Sequence, residues 1–153
     1  MDRLAQVQRE VDEILLTAPN EAWKSKFCVH LYGVAGCAAL LALKRGQDAE
    51  LASVAAMLHD ISAVGRGNYD DHCELSAKMA EEIFSRLNIF SAEETALVAT
   101  AIRNHDFRAE KHCEFDELLK DADILCPYLL NVNRGVNVNA HVRLANMRAE
   151  LGI

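Results

Sequence analysis

The chain has 153 residues, is 51% hydrophobic and 25% charged, and carries a formal net charge of −7. That length fits a single domain burying one core, and the acidic balance argues against a coat for nucleic-acid backbone, which needs clustered lysine and arginine. Seven glycines and two prolines leave few breakers among abundant Ala, Leu, Glu and Lys, so long helices are expected.

The opening Met1-Asp2-Arg3-Leu4 has no apolar leader, and Leu4, Val7, Val11, Ile14 and Leu15 recur at helical spacing up to Thr17-Ala18-Pro19. Asn20 caps a second helix from Glu21 to about Arg45, with Phe27, Leu31, Val34, Ala38, Leu41 and Ala42 as its stripe and Gly46 as its stop. The nearly uncharged run from Phe27 to Leu43 is slightly short of a membrane span. Asp48 caps a third helix through Leu51, Val54, Ala55 and Leu58, which delivers His59-Asp60 at its end before Gly65-Arg66-Gly67-Asn68 breaks the pattern.

Asp70 or Asp71 opens a fourth helix along Leu75, Met79, Ile83, Phe84 and Leu87, with His72 in its first turn. Ser91-Ala92-Glu93-Glu94 has the form of a capping box, and the helix it starts ends at His105. After a charged connection, Arg108 to Cys113, a sixth helix runs from about Phe115 to Leu130 and carries Asp121 and Asp123. Asn131 to Asn139 reads as a loop and Ala140 to Leu151 as a last helix. Five cysteines without a C-x-x-C pair read as reduced thiols acting as small buried hydrophobes, in a cytoplasmic protein without a membrane span.

His30, His59-Asp60 and Asp123 stand out as polar groups inside apolar helical stretches. A buried carboxylate is costly unless paired or bound to a cation, and the cations first in view for Asp123 are Lys120 and, further off, Arg134. One shared metal would serve all four groups. Two imidazoles and two carboxylates make an N/O donor set suited to Mn, Mg, Co, Ni or Fe.

The order of these motifs resembles the HD superfamily of metal-dependent phosphohydrolases. The likeness rests on His30, on Leu58-His59-Asp60-Ile61, on His72-Cys73-Glu74-Leu75-Ser76-Ala77, on Ala101-Ile102-Arg103-Asn104-His105 and on Lys120-Asp121-Ala122-Asp123, spread from about His30 to Leu130. It implies an all-α bundle of six to seven helices around a central metal site, with core motifs over about 28–131, an N-terminal helix over 1–18 and a C-terminal helix over 139–151. It implies further that His30, His59, Asp60 and Asp123 bind one divalent metal. In members with two ions, Asp60 would bridge and His72 and His105 would serve the second.

The activity implied is hydrolysis of a phosphate ester of a small molecule, a nucleotide in first place, by a metal-activated water. Asp60, His72 and His105 are the candidate catalytic groups: Asp60, where it does not bridge two ions, to orient the water, and His72 or His105 to protonate the leaving oxygen or hold phosphate. Two departures are visible. His105 is followed by Asp106 rather than a second histidine, and the lysine that many members carry in HD-I-G-K is replaced by Ser62-Ala63. Arg66, Arg108 and Lys111 are then the candidates for substrate phosphate. Asp121 is expected to be a solvated or capping charge, and His112 and His141 to lie on the surface. Two other functions stay open: a metal- or nucleotide-binding regulatory module without turnover, and a dinuclear-iron oxygenase. The acidic surface and apolar terminal helices allow a homodimer.

Overall fold

A computed structural model describes residues 2–153, so Met1 lies outside the described residues. Eight helices follow one another: α1 (Arg3–Leu15), α2 (Glu21–Arg45), α3 (Ala49–Leu58), α4 (Ile61–Arg66), α5 (His72–Leu87), α6 (Ala92–Asn104), α7 (Glu114–Leu130) and α8 (Val138–Leu151). Among the described residues there is no strand. The all-α bundle expected from the resemblance is thus what the chain forms. The helix beyond the expected count is α4. Gly65 and Arg66, expected in a loop, are its last residues, and the break falls at Gly67, which closes the helix at φ 69.

The starts of the helices are written in the chain. Asn20, Asp48 and Ser91 each accept a backbone N–H of the first turn, and Ser91 with Glu94 completes the capping box. Asp71 precedes α5 without a capping bond and adopts a left-handed φ of 52. Gly46, with φ 68, ends α2 where expected.

The bundle is built around α2, which packs chiefly against α3 and α7, while α5 packs against α6. Phe27, Leu31, Val34, Ala38 and Leu41 of α2 are fully buried, and each large side chain contributes about 1.5–3 kcal/mol of apolar transfer. By length and composition α2 could cross a membrane, yet this buried face is the centre of the packed core. Gly33 allows the closest approach, since a Cβ there would stand 2.6 Å from Cys126 Sγ on α7.

Ion pairs close the ends. Asp121, expected to be a solvated or capping charge, is buried and held by Arg45 of α2 at 2.9 Å and Arg143 of α8 at 3.0 Å. Arg143 also donates to the Arg108 carbonyl at 3.1 Å and reaches Glu117 at 2.6 Å, so α8 clamps the segment between α6 and α7. Lys120 does not face Asp123. Its ammonium is buried and satisfied by the Glu110 carbonyl (2.9 Å), Glu117 (2.8 Å) and His112 Nδ1 (2.6 Å). His112 is therefore half-buried in that network rather than on the surface, whereas His141 is exposed as expected.

Candidate metal centre

Each of the histidines that end or begin a helix is oriented by its own backbone. Nδ1 of His59 lies 2.6 Å from the Ala56 carbonyl, Nδ1 of His72 lies 2.8 Å from the Tyr69 carbonyl, and Nδ1 of His105 lies 2.7 Å from the Ile102 carbonyl. A carbonyl can only accept, so Nδ1 carries the proton in all three and Nε2 is turned inward. The same device, a bond to the residue three positions earlier, recurs on α3, α5 and α6.

Those Nε2 atoms converge on Asp60, which sits in the break between α3 and α4. Oδ2 of Asp60 is 3.4 Å from His30 Nε2 and 3.4 Å from His59 Nε2. Asp123 Oδ1, from α7, is 3.4 Å from His30 and 3.5 Å from His59, and the two imidazole nitrogens are 3.1 Å apart. The other oxygen of Asp60 faces elsewhere: Oδ1 is 3.5 Å from His72 Nε2 and 3.3 Å from His105 Nε2. One carboxylate thus faces two clusters, and its Oδ1 is buried without a hydrogen-bond partner.

The spacing has a simple meaning. Donors bound about 2.0–2.2 Å from one ion stand about 2.8–3.1 Å apart at octahedral angles and about 3.3–3.6 Å apart at tetrahedral ones. Inward lone pairs facing a carboxylate repel it unless a proton or a cation lies between them. The residues present fit a divalent metal on both counts.

The same crowding shows in how these groups shift one another. Burial works against the Asp60 carboxylate, but the charge of His59 and contacts with His105 and His30 outweigh it and hold the carboxyl far below its usual range. Asp123 is likewise depressed, burial being outweighed by His59, His105 and Arg108. Burial disfavours the charge of His30 and His105, but the nearby Asp60 and Asp123 carboxylates outweigh it and both shift up. His72 rises to about 9, chiefly through Cys73, against burial and with help from the Tyr69 carbonyl. Cys73 falls to about 7, burial being outweighed by His105 and His72.

The cluster opens into a cavity of about 880 Å³, lined on one side by His30, Asp60, His72, His105 and Asp123 and on the other by the 131–137 loop. Of the basic residues expected at substrate phosphate, Arg108 lines this cavity and pairs with Asp123. Arg66 and Lys111 do not belong there. Arg66 ends α4, is exposed and donates to the Asp70 carbonyl at 2.7 Å, and Lys111 is exposed between α6 and α7 and does not line the cavity. For Arg66, side-chain direction at the helix end, not closeness in the chain, decides where the cation points.

Lys26 and Arg134 line the cavity instead. Lys26 stands one helical turn before His30, with its ammonium 4.6 Å from the Trp23 ring and 4.9 Å from the Tyr69 ring. Its i, i+4 spacing to His30 is the signal that could have found it. Trp23 donates its indole N–H to the Ala63 carbonyl at 3.1 Å, and Tyr32 bonds Asp12 away from the site. Ala63, where many HD proteins have lysine, is fully buried. Its neighbour Ser62 contributes differently: Oγ donates to the His72 carbonyl at 3.2 Å, and Ser76 Oγ donates to Ser62 Oγ at 3.0 Å, fixing the start of α5.

A protein-family model described as HD domain matches residues 28–128, well over half of the chain. The chain belongs to the HD domain family. The match runs from the turn of α2 just before His30 to the end of α7 just after Asp123, so it contains every inward-facing donor named above. No curated protein and no solved structure matches the chain. HD domains are in general metal-dependent hydrolases, and in this HD domain the clustered histidines and aspartates could hold a metal. All five cysteines are free; Cys37 and Cys126 are buried as expected, but Cys28 and Cys113 are exposed and Cys73 lies against His72.

Proposed function

We propose that this HD domain is a divalent-metal-dependent phosphohydrolase acting on a small phosphorylated molecule, with nucleotides as the favoured class. The observation that carries the reading is the buried, unpartnered Oδ1 of Asp60 facing two imidazole nitrogens while Oδ2 faces two others. In this reading His30, His59, Asp60 and Asp123 hold one ion, and Asp60, His72 and His105 a second. A bound divalent ion supplies a Lewis acid that acidifies water and offsets the charge of a phosphate.

The chain's own residues do the rest. Lys26, Arg108 and Arg134 bring positive charge to a cavity whose inner wall is anionic, and so take phosphate oxygens. Arg108 is shared with Asp123, which draws a phosphate it contacts toward the His30 cluster. Tyr69 and Tyr128 line the cavity and add aromatic surface for a base or another flat group. The cavity volume falls within the range of small-molecule sites, about 300–1,000 Å³. With both Nε2 atoms committed to the second ion, His72 and His105 act as donors to it, and the acid role open to them from sequence applies only when that cluster is without metal.

A panel of phosphomonoesters and phosphodiesters, assayed after reconstitution with separate divalent metals, tests the proposal. Turnover that needs the metal and is lost in Asp60→Ala is the expected result. Metal retained without turnover across the panel would favour a binding module, and oxygen-dependent turnover of the iron-loaded protein would favour oxidation; either outcome contradicts hydrolysis.

A further inference from the structure

Cys73 has no place in the donor set implied by the family motifs, yet it follows His72 in the first turn of α5 and turns its sulfur toward the same point. Its Sγ is 3.4 Å from His72 Nε2, and the donor atoms of His72, Cys73 and His105 all lie within 4.8 Å of one another. The second and independent observation is Asp60 Oδ1, buried, without a partner, and aimed at the same two imidazoles at 3.5 and 3.3 Å. A sulfur bound at about 2.3 Å and a nitrogen at about 2.0–2.1 Å, at tetrahedral angles, stand about 3.5 Å apart, close to the separation seen between Cys73 and His72.

We infer that Cys73 is a ligand of the second ion, completing an S, N, N, O set with His72, His105 and Asp60. This rests on the two-cluster reading above and deepens it. The His30 cluster offers nitrogen and oxygen alone, whereas this one adds a soft thiolate. The two positions therefore differ in preference: the Cys73 cluster favours zinc, iron or cobalt and disfavours magnesium and manganese, while the His30 cluster remains open to all of them. On binding, the thiol loses its proton to solvent and the sulfur donates an electron pair to the ion, with no change of oxidation state.

Cobalt(II) titrated into the metal-free chain is the test, read by near-ultraviolet absorption and by metal content. The expected result is two cobalt ions per chain and a sulfur-to-cobalt charge-transfer band that grows with the ion bound at the Cys73 cluster. That band should vanish in Cys73→Ser and Cys73→Ala and persist in Cys28→Ala, with the affinity of the sulfur-bearing position falling at least about 10-fold and the other ion retained. Magnesium in excess should displace the band far less than zinc. Two cobalt ions bound with no sulfur band, or a band undiminished in Cys73→Ala, overturns the role of Cys73 and leaves the two-cluster reading standing. No cobalt bound at all overturns both. Circular dichroism of the variants separates loss of the ligand from loss of the fold.

Discussion

Asp60 Oδ1 stands 3.3 Å from His105 Nε2, and the His105 ring proton is on the far side, where Nδ1 faces the Ile102 carbonyl at 2.7 Å. Two electron-rich atoms held that close inside a protein need a positive charge between them, and the same relation repeats at His72 and, through Oδ2, at His59. Asp60 is thus the residue on which both clusters depend, with its place fixed by the break between α3 and α4.

Metal should stabilise the wild-type fold through this residue. Manganese or cobalt at about 100 times its dissociation constant should add about 2.7 kcal/mol, visible as a rise in Tm. In Asp60→Asn the rise should be absent while the far-ultraviolet spectrum keeps its helical form. Differential scanning fluorimetry with and without metal checks this, and an undiminished shift in the variant would count against Asp60.

Glycines of α2 should respond in opposite directions. Gly36→Ala meets nothing within 4 Å and removes backbone freedom from a helix interior, so it should stabilise by about 0.5–1 kcal/mol. Gly33→Ala drives a methyl to 2.6 Å from Cys126 Sγ, so overpacking of about 1–3 kcal/mol exceeds the same helix gain and the variant should be less stable. Urea unfolding of both variants decides it.

Glu117 ties Lys120, Arg143 and the His112 N–H together, and although burial pushes its carboxyl up, these partners bring it down to about 2 from an ordinary 4.5. A carboxyl that titrates lower when folded contributes fully above about pH 4.5 and loses that contribution as pH falls toward 2. Glu117→Gln should therefore cost about 1–3 kcal/mol at neutral pH, with the gap to wild type narrowing through that window. Thermal melts across a pH series read the gap directly.

Arg108 and Lys26 should separate substrate binding from metal binding. Lys26→Ala, at a cavity-lining residue outside the donor set, should raise KM for a phosphorylated substrate by about 10-fold while metal content stays that of wild type. Arg108→Ala should raise KM and also disturb Asp123, its buried partner. Steady-state kinetics alongside metal analysis distinguishes the two variants.

Much of this was legible in the chain because its signals are local. Asn20, Asp48, Ser91 and Gly46 mark helix ends by their own chemistry, and His59-Asp60 is displayed by lying at one. What the sequence hid depends on packing between distant helices. Cys73 reads as a small hydrophobe until α5 meets α6 and brings His105 near its sulfur. Asp121 reads as solvated until Arg45 and Arg143 arrive from α2 and α8. Arg66 and Arg108 look equivalent as loop cations; one is turned to Asp70 by the end of α4, the other to Asp123 by the loop that Arg143 clamps. Lys26 was readable, one turn from His30, but an exposed lysine near a helix start carries little distinction without the cavity beside it.

Metal content by plasma mass spectrometry, on wild type and Asp60→Asn reconstituted in parallel and freed of excess ion, bears most directly on the two-cluster centre. Two divalent ions per wild-type chain, with both positions depleted in the variant, is the result the shared carboxylate requires. Equal metal in the two proteins, or none in the wild type, would contradict it.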